Sequence, residues 1–589
     1  MLIDTDILII GAGLSGVGFA IRLQQKYPLV TFEIYEKAEE LGGTWWINTY
    51  PGCACDVPSH LYSYSFALNP EWSAQFAPQA EIEAYTRSVA DKYDIPRHIT
   101  FRSTVQGATW DGASGTWSVR ILDQQTGKVY KRRSRVLISA VGLLSEPNDC
   151  DIPGAQDFQG KLFHSARWDH SFDWAGKDVV VVGNGCSATQ FVPILSADPG
   201  KARSVVQFIR QSHWLEERPN PQYSDVTKWI FRNIPLAMRL FRLAIFLYLE
   251  SYFPTFNRRA GKKIREKKVK AQTAYLKRTA PEKYYEALIP KIELGCKRRV
   301  MDTNYLACLH RESMELVYAD SIECITATGV RTQSSREVHA DAIVLATGFK
   351  ATQFLFPLEI KGEHGVSITE HWQNTLTQVP HAYYGTCISS FPNFFILNGP
   401  NTATGHTSVI FTAECQINFA LKVLDPILCP LQLSTTTTTH PPPHSLSQSS
   451  LRLPSFLPRS RSTRNRNPSS HSQSTSIPPN SSSPRTQHQH QDRNCNRNRH
   501  RHRHRHPRTV TVTPEAEAWD ASWIARASEK YIWTSGCASW YLHPSGRNTT
   551  LYPGSQVRFW WRSVRGPRRG DFVYRVCEEK EPGSTGARN

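Results

Sequence analysis

Two strand–glycine–helix signals in one chain set the tightest limit on its fold. The first starts at Asp6-Ile-Leu-Ile-Ile10, an apolar strand run. It turns through Gly11-Ala-Gly13-Leu-Ser-Gly16 into the helical stretch Ser15–Tyr27, and a second strand covers residues 31–35. This order is a βαβ unit and implies a parallel sheet. Gly11 makes the tight turn, Gly13 lets a pyrophosphate approach the backbone, and Gly16 lets helix and strand pack closely. The helix N-terminus offers free N–H groups and the positive end of its dipole to phosphates. Glu36 stands twenty residues past Gly16, at the end of the second strand, where a carboxylate accepts hydrogen bonds from ribose hydroxyls.

The pattern restarts at Asp178-Val-Val-Val-Val182, followed by Gly183-Asn184-Gly185-Cys186-Ser187-Ala188 and a helix from Thr189. Alanine is allowed in the third glycine position. No acid closes the next strand, Val205–Ile209; Arg210 does, twenty-two residues past Ala188. A carboxylate there repels a 2′-phosphate, whereas a guanidinium holds it with charge-assisted bonds. The first loop therefore suits a dinucleotide with a free ribose, and the second suits NADPH. Two such sites imply hydride passing between a nicotinamide and a bound flavin. The expected fold class is α/β, with two Rossmann-like dinucleotide-binding domains, for FAD and NADPH, and a helical insertion.

The expected boundaries follow composition and pattern. Residues 1–145 and 346–430 form the FAD-binding domain, and 146–213 and 295–345 the NADPH-binding domain. Residues 214–294 are the helical insertion, with a helix also expected over Thr412–Ile427. Residues 431–508 are rich in Ser, Pro, Arg and His, cannot build a core, and read as a disordered insertion or as non-coding sequence carried into a gene model. Folded-looking, aromatic sequence resumes over 509–589 and completes the FAD domain.

The formal charge is +18, which raises the question of nucleic acid. Between Ser434 and Arg508 there are 13 Arg, no Lys, one Asp and no Glu, a net +12 that leaves +6 for the rest. The basicity is thus assigned to one biased segment, and no nucleic-acid partner is expected. Thirteen Cys lack paired metal spacing, so no metal is expected, and they read as structural. Their odd count and the absence of a signal-peptide pattern suggest a reducing, cytoplasmic setting. The stretch Ile234–Phe253 is the most membrane-like, but Arg239, Arg242 and Glu250 interrupt it. It reads as a buried or amphipathic helix, and a membrane partner is not expected. Asn548-Thr549-Thr550 matches a glycosylation sequon with nothing else to support secretion.

After the first loop comes Gly42-Gly43-Thr44-Trp45-Trp46-Ile47-Asn48-Thr49-Tyr50-Pro51-Gly52-Cys53-Ala54-Cys55-Asp56. Between the two loops stands Phe158-Gln-Gly160-Lys-Leu-Phe-His164-Ser-Ala-Arg-Trp168-Asp169. These resemble the long and short fingerprints of the flavin-containing (class B) monooxygenases of the Baeyer–Villiger type. The likeness is nearest to fungal and 4-hydroxyacetophenone-monooxygenase-like members. It covers about residues 3–428 and resumes near 509. Related N- and S-oxygenating enzymes usually carry Tyr or Phe where this chain has Trp168.

The resemblance implies an FAD- and NADPH-dependent enzyme that inserts oxygen from O2 into a ketone through a C4a-peroxyflavin. It implies that Gly43, Thr44, Trp45, Trp46, Cys55, Asp56 and Tyr62 line the flavin. Gly295-Cys-Lys297-Arg298 matches the family's Gly-x-Lys-Arg stretch. Lys297 would join Arg210 and Gln211 on the NADPH phosphate. Arg298 would be the active-site arginine, positioned by Asp56, although Arg299 directly follows it. A fixed guanidinium in a dry pocket suits the negative charge that develops on a carbonyl oxygen. His164 reads as a packing or conformational residue. Two alternatives stand beside this reading: N- or S-oxygenation on the same fold, and an inactive relative or binding module disrupted by the biased segment.

Overall fold

The computed structural model describes residues 3–375, 377–436, 506–537 and 539–576. Most of the biased segment, 437–505, lies outside the described residues. The strands are β1 (Thr5–Ile10), β2 (Phe32–Tyr35), β3 (Ile99–Thr100), β4 (Ser103–Asp111), β5 (Thr116–Asp123), β6 (Val129–Ser139), β7 (Lys161–His164), β8 (Asp178–Val182) and β9 (Ser204–Ile209). Later strands are named by residue range.

Two sheets carry the chain. The first has eight strands in the order Glu359–Lys361, β4, β5, β6, β1, β2, β3, with Phe394–Ile396 alongside β6. Its β1 pairs in parallel with β2 and β6, while β4, β5 and β6 form an antiparallel meander. Ile7, Leu8 and Ile9 are fully buried. Helix α1 (Leu14–Lys26) packs its Val17, Phe19, Ala20 and Ile21 inward. The second sheet has five strands in the order Met314–Tyr318, β9, β8, Ala342–Leu345, β7, all parallel. The unbroken valines of β8 fit this place, because a parallel strand is covered on both faces.

Helices α2 (Thr44–Ile47) and α3 (Gln79–Lys92) follow β2, and α4 (Ala188–Leu195) follows β8. The insertion is α5 (Asp225–Asn233), α6 (Ala237–Glu250) and α7 (Lys262–Thr279). A short parallel ladder, Leu215–Glu217 with Val300–Asp302, closes its two ends together.

Four expectations change. The helix expected over Thr412–Ile427 is two helices, Val409–Val423 and Asp425–Thr436. Pro426 has no N–H to continue the first one, but is tolerated in the first turn of the second. Cys296 and Cys537 form a disulfide, with Cα atoms 5.5 Å apart, so the cysteines are not all free thiols. Of the two readings of 234–253, buried or amphipathic, the buried one fails, since much of its apolar surface faces outward. Finally, the +6 outside the biased segment is uneven. Residues 226–278 carry 14 basic and two acidic side chains, a net +12, so a folded element is strongly basic as well.

The chain after residue 505 packs into the first sheet's side of the fold. Asn393 and Val510 exchange hydrogen bonds, with both donor–acceptor distances 2.8 Å. On the helix Pro514–Ser528, buried Glu517 accepts from the Ser389 N–H at 2.9 Å. Asp520 accepts from the Tyr384 N–H at 2.9 Å and pairs with Arg562, whose guanidinium lies 3.7 Å from the Tyr384 ring centroid. Asn548 of the sequon is buried, with its amide bonded to Leu551 and Ser528. Removing one member of a buried ion pair strands the other charge. Asp520→Ala is therefore expected to cost about 3 kcal/mol in a denaturant titration. Wild-type stability in that variant would show that this block is not held through Asp520.

Candidate functional site

The site is assembled from two glycine turns and one loop from each side. Gly11, Gly13 and Gly16 form the turn from β1 into α1. A side chain at Gly16 would run into the Gly11 carbonyl oxygen, so only glycine permits this close approach. Glu36 is buried at the end of β2, and its Oε2 accepts from the Ala12 N–H at 2.7 Å. Its carboxylate is thereby fixed over the glycine turn. Gly43 caps α2 with φ +57°, and Gly13 bridges to Gly42. Trp45 is buried, and its indole N–H donates to Tyr62 Oη at 3.0 Å. Thr44 is exposed and Trp46 half-buried on the same short helix.

The second turn repeats the first. Gly183 has φ +112°, and a Cβ there would lie 2.6 Å from the Ala346 carbonyl oxygen. At Gly185 a Cβ would meet nothing within 4 Å, which leaves open space over the turn. Ser187 caps α4, Ala188 begins it, and the Thr189 hydroxyl is spent on the carbonyls of Gly185 and Cys186. Asn184 Nδ2 donates to the Gln211 carbonyl at 3.0 Å. The Lys297 ammonium donates to Gln211 Oε1. Burial and the charge of Arg210 hold the Lys297 pKa below its ordinary value. Among the described residues, no ion pair joins Arg210 or Lys297 to a carboxylate. The expected trio Arg210, Gln211 and Lys297 thus meets beside the second turn, with two cations free to take an anion. Both cradles fit the dinucleotides that the sequence pattern implies.

Between the cradles lies a bidentate pair. Arg298 Nε and Nη2 donate to Asp56 at 2.8 and 2.7 Å. Burial alone would raise the Asp56 pKa, but the charge and hydrogen bonds of Arg298, with Arg299 and Arg218 behind it, hold it below the carboxylate range. The charge of Asp56 raises the Arg298 pKa against the effect of burial. Arg299 goes elsewhere: it pairs with Glu216 at 3.1 Å and lies 4.9 Å from the Tyr252 ring centroid. The two adjacent arginines thus take different carboxylates. Cys55 is buried and its thiol pushed up by burial, and burial likewise lifts Cys186 to about 11. Neither is poised as a nucleophile. His164 is buried at the end of β7, accepts from the Ala166 N–H at 3.0 Å, and is held below its usual pKa by burial. It sits against Phe349, with ring centroids 5.8 Å apart, and Trp168 packs on Phe191.

Three residues reach the site that sequence spacing did not indicate. The Gln190 amide on α4 bonds both Tyr50 Oη and the Ala54 carbonyl, tying the second turn's helix to the loop that carries Asp56. Arg218 Nη2 donates to the Cys55 carbonyl at 2.7 Å. Tyr541 is buried with its hydroxyl unpartnered among the described residues, and it interacts electrostatically with Arg298, Cys186 and Asp56. All three depend on long-range contacts that no local motif records.

Residues 4–362 match the Flavin-binding monooxygenase-like family. The chain belongs to that family. It is 35% identical over 458 residues to an FAD-binding monooxygenase of Aspergillus niger, covering 77% of this chain and 74% of that one. It is 31% identical to a Baeyer–Villiger monooxygenase of Pseudomonas aeruginosa, covering 94% and 88% of the two chains. A Baeyer–Villiger monooxygenase of Streptomyces coelicolor is also 31% identical, covering 99% and 94%. The fold is similar to that of an NADP-bound steroid monooxygenase, with TM-score 0.73, 24% identity and 97% and 99% coverage. It is also similar to that of a closed cyclohexanone monooxygenase, with TM-score 0.74, 21% identity and 98% and 100% coverage.

The depressed Asp56 pKa has a defined sign. Its folded value lies below the unfolded one, so its contribution to stability is present above about pH 4 and is lost as the pH falls further. The melting-temperature gap between wild type and Asp56→Asn is therefore expected to be wide near neutrality and to close in acid. A gap independent of pH would mean that Asp56 carries no charge in the fold.

Proposed function

We propose that this family member is an FAD- and NADPH-dependent monooxygenase that converts a ketone into an ester or lactone, with O2 as the oxygen source. The observation that carries the reading is the Arg298–Asp56 pair, held between the two cradles and stripped of most of its water. Support comes from the Baeyer–Villiger names of relatives that match nearly the whole chain. FAD held along β1 and α1 and NADPH along β8 and α4 supply hydride transfer and the activation of dioxygen.

The protein's own part is electrostatic and positional. Gly11, Gly13, Gly16 and the N-terminus of α1 hold one pyrophosphate, and Glu36 holds its ribose. Gly183, Asn184, Gly185, Ser187 and the N-terminus of α4 hold the other. Arg210, Gln211 and Lys297 hold the 2′-phosphate. Thr44, Trp45 and Tyr62 wall the flavin side. Arg298 stays charged throughout the working pH range and donates to the ketone oxygen as negative charge develops there. Asp56 occupies two of its N–H groups, which fixes the plane of the fork and leaves the others to the substrate side. Tyr541 supplies a further buried hydroxyl that can donate to the same oxygen.

Arg298→Ala is expected to lower ester formation by roughly a hundredfold or more, while NADPH consumption continues as unproductive oxidation. Product chromatography beside a peroxide assay separates the two. Ester yield at the wild-type level would remove Arg298 from the reaction. Arg210→Ala and Lys297→Ala are each expected to raise the KM for NADPH roughly tenfold, with little change for NADH. An equal effect on both nucleotides would place these cations away from the 2′-phosphate.

A further inference from the structure

The helical insertion has a side that the rest of the fold does not use. Helix α6 is apolar on both faces. Its inner face is held to the body: Phe246 packs on Phe411 with centroids 4.9 Å apart, Arg242 donates to the His60 carbonyl at 2.6 Å, and Glu250 accepts from the Gln556 N–H at 3.0 Å. Its outer residues recur at the helical period. Leu240, Leu243, Leu247 and Tyr248 are 63, 49, 55 and 71% exposed. Trp229 on α5 and Leu236 in the turn before α6 are also more than half exposed. A solvated helix face is normally polar, so a row of leucines with flanking aromatics marks a contact surface.

The charge around this row identifies what it fits. From Val226 to Leu249 there are four cations and no carboxylate. Arg239 is exposed within the row, and Arg258, Arg259, Lys262, Lys263 and Lys267 follow it, all exposed. Helix α7 is anchored at the foot of α6, because buried Arg265 donates to the Thr255 carbonyl at 2.9 Å and Lys268 lies 4.1 Å from the Tyr252 ring centroid. Leucines and interfacial aromatics beside a cation-rich, carboxylate-poor helix match the headgroup zone of an anionic bilayer. There the apolar side chains enter the acyl boundary and the cations meet phosphate and carboxylate groups. Nucleic acid would use the cations and leave the leucines wet. A second copy would set residues 226–278, net +12, against themselves. Among the described residues no helix is long and apolar enough to cross a membrane, so the contact is with the surface.

We propose that α5, α6 and α7 dock this protein on an anionic lipid surface. The test is flotation of the flavin-loaded full chain with vesicles of phosphatidylcholine alone or mixed with phosphatidylserine. The chain is expected to float with the mixed vesicles and to be released by salt. The triple variant Leu240→Ser, Leu243→Ser, Leu247→Ser is expected to bind on the order of a hundredfold more weakly. The variant Lys262→Ser, Lys263→Ser, Lys267→Ser, Lys270→Ser is expected to lose a similar factor. Both should keep the wild-type melting temperature and NADPH oxidation rate, because none of these residues belongs to the cofactor or reaction site. Wild type that fails to float, or a leucine variant that floats as well as wild type, overturns the proposal. So does a wild-type dimer in sedimentation velocity that the leucine variant converts to monomer without any lipid binding. Binding to a DNA duplex without flotation overturns it as well.

Discussion

The bidentate contact between Arg298 and Asp56 joins positions 242 residues apart, and much of the architecture serves to hold it. A guanidinium and a carboxylate taken out of water repay their desolvation only if the geometry is good and their remaining bonding capacity is used. Here the backing comes from several directions. Arg218 bonds the carbonyl just before Asp56, Gln190 holds the same loop to α4, and the ladder of Leu215–Glu217 with Val300–Asp302 anchors the strand that follows Arg298. The pair therefore sits beside the glycine turn and first residues of α4. If one carboxylate were lost, the cation would remain, and it would be free to swing.

The parts of the fold legible in the sequence were those with local causes. A glycine that must admit a carbonyl oxygen, four valines in a row, or an acid at the end of a strand each encodes its own environment. Arg298 and Arg299 show where this stops. They are adjacent, chemically identical and point to different partners, Asp56 for one and Glu216 with Tyr252 for the other. Successive side chains near a strand face opposite ways, so neighbours in sequence belong to different sites. Tyr541 and Gln190 were illegible for a related reason. Their significance arises from contacts with residues far away in the chain, and nothing in their immediate sequence announces it. Pro426, by contrast, was a local signal that a helix had to break.

Charge was misread by averaging. A net +6 outside the Arg-rich segment conceals a net +12 over residues 226–278, set against a remainder that is on balance acidic. The same averaging leaves α6 readable as either a buried or an amphipathic helix, since a helix apolar all round is usually in a core. Its partners cover only one side. Packing settles which apolar residues are structural and which are available, and composition over a window cannot make that distinction.

The tripeptide Lys297-Arg298-Arg299 connects these levels. Three consecutive cations face three environments: the anion cradle beside Arg210, the paired carboxylate between the sheets, and the Glu216–Tyr252 corner at the insertion. Cys296, directly before them, is bonded to Cys537, four residues short of Tyr541. A displacement of one of these residues moves its neighbours, because planar peptides hold successive Cα atoms at a fixed separation. The Lys297 contact with Gln211, the orientation of the Arg298 guanidinium on Asp56, the Tyr541 hydroxyl and the base of the insertion are therefore mechanically linked. That linkage ties the chain after residue 505 to the segment that carries Lys297, Arg298 and Arg299.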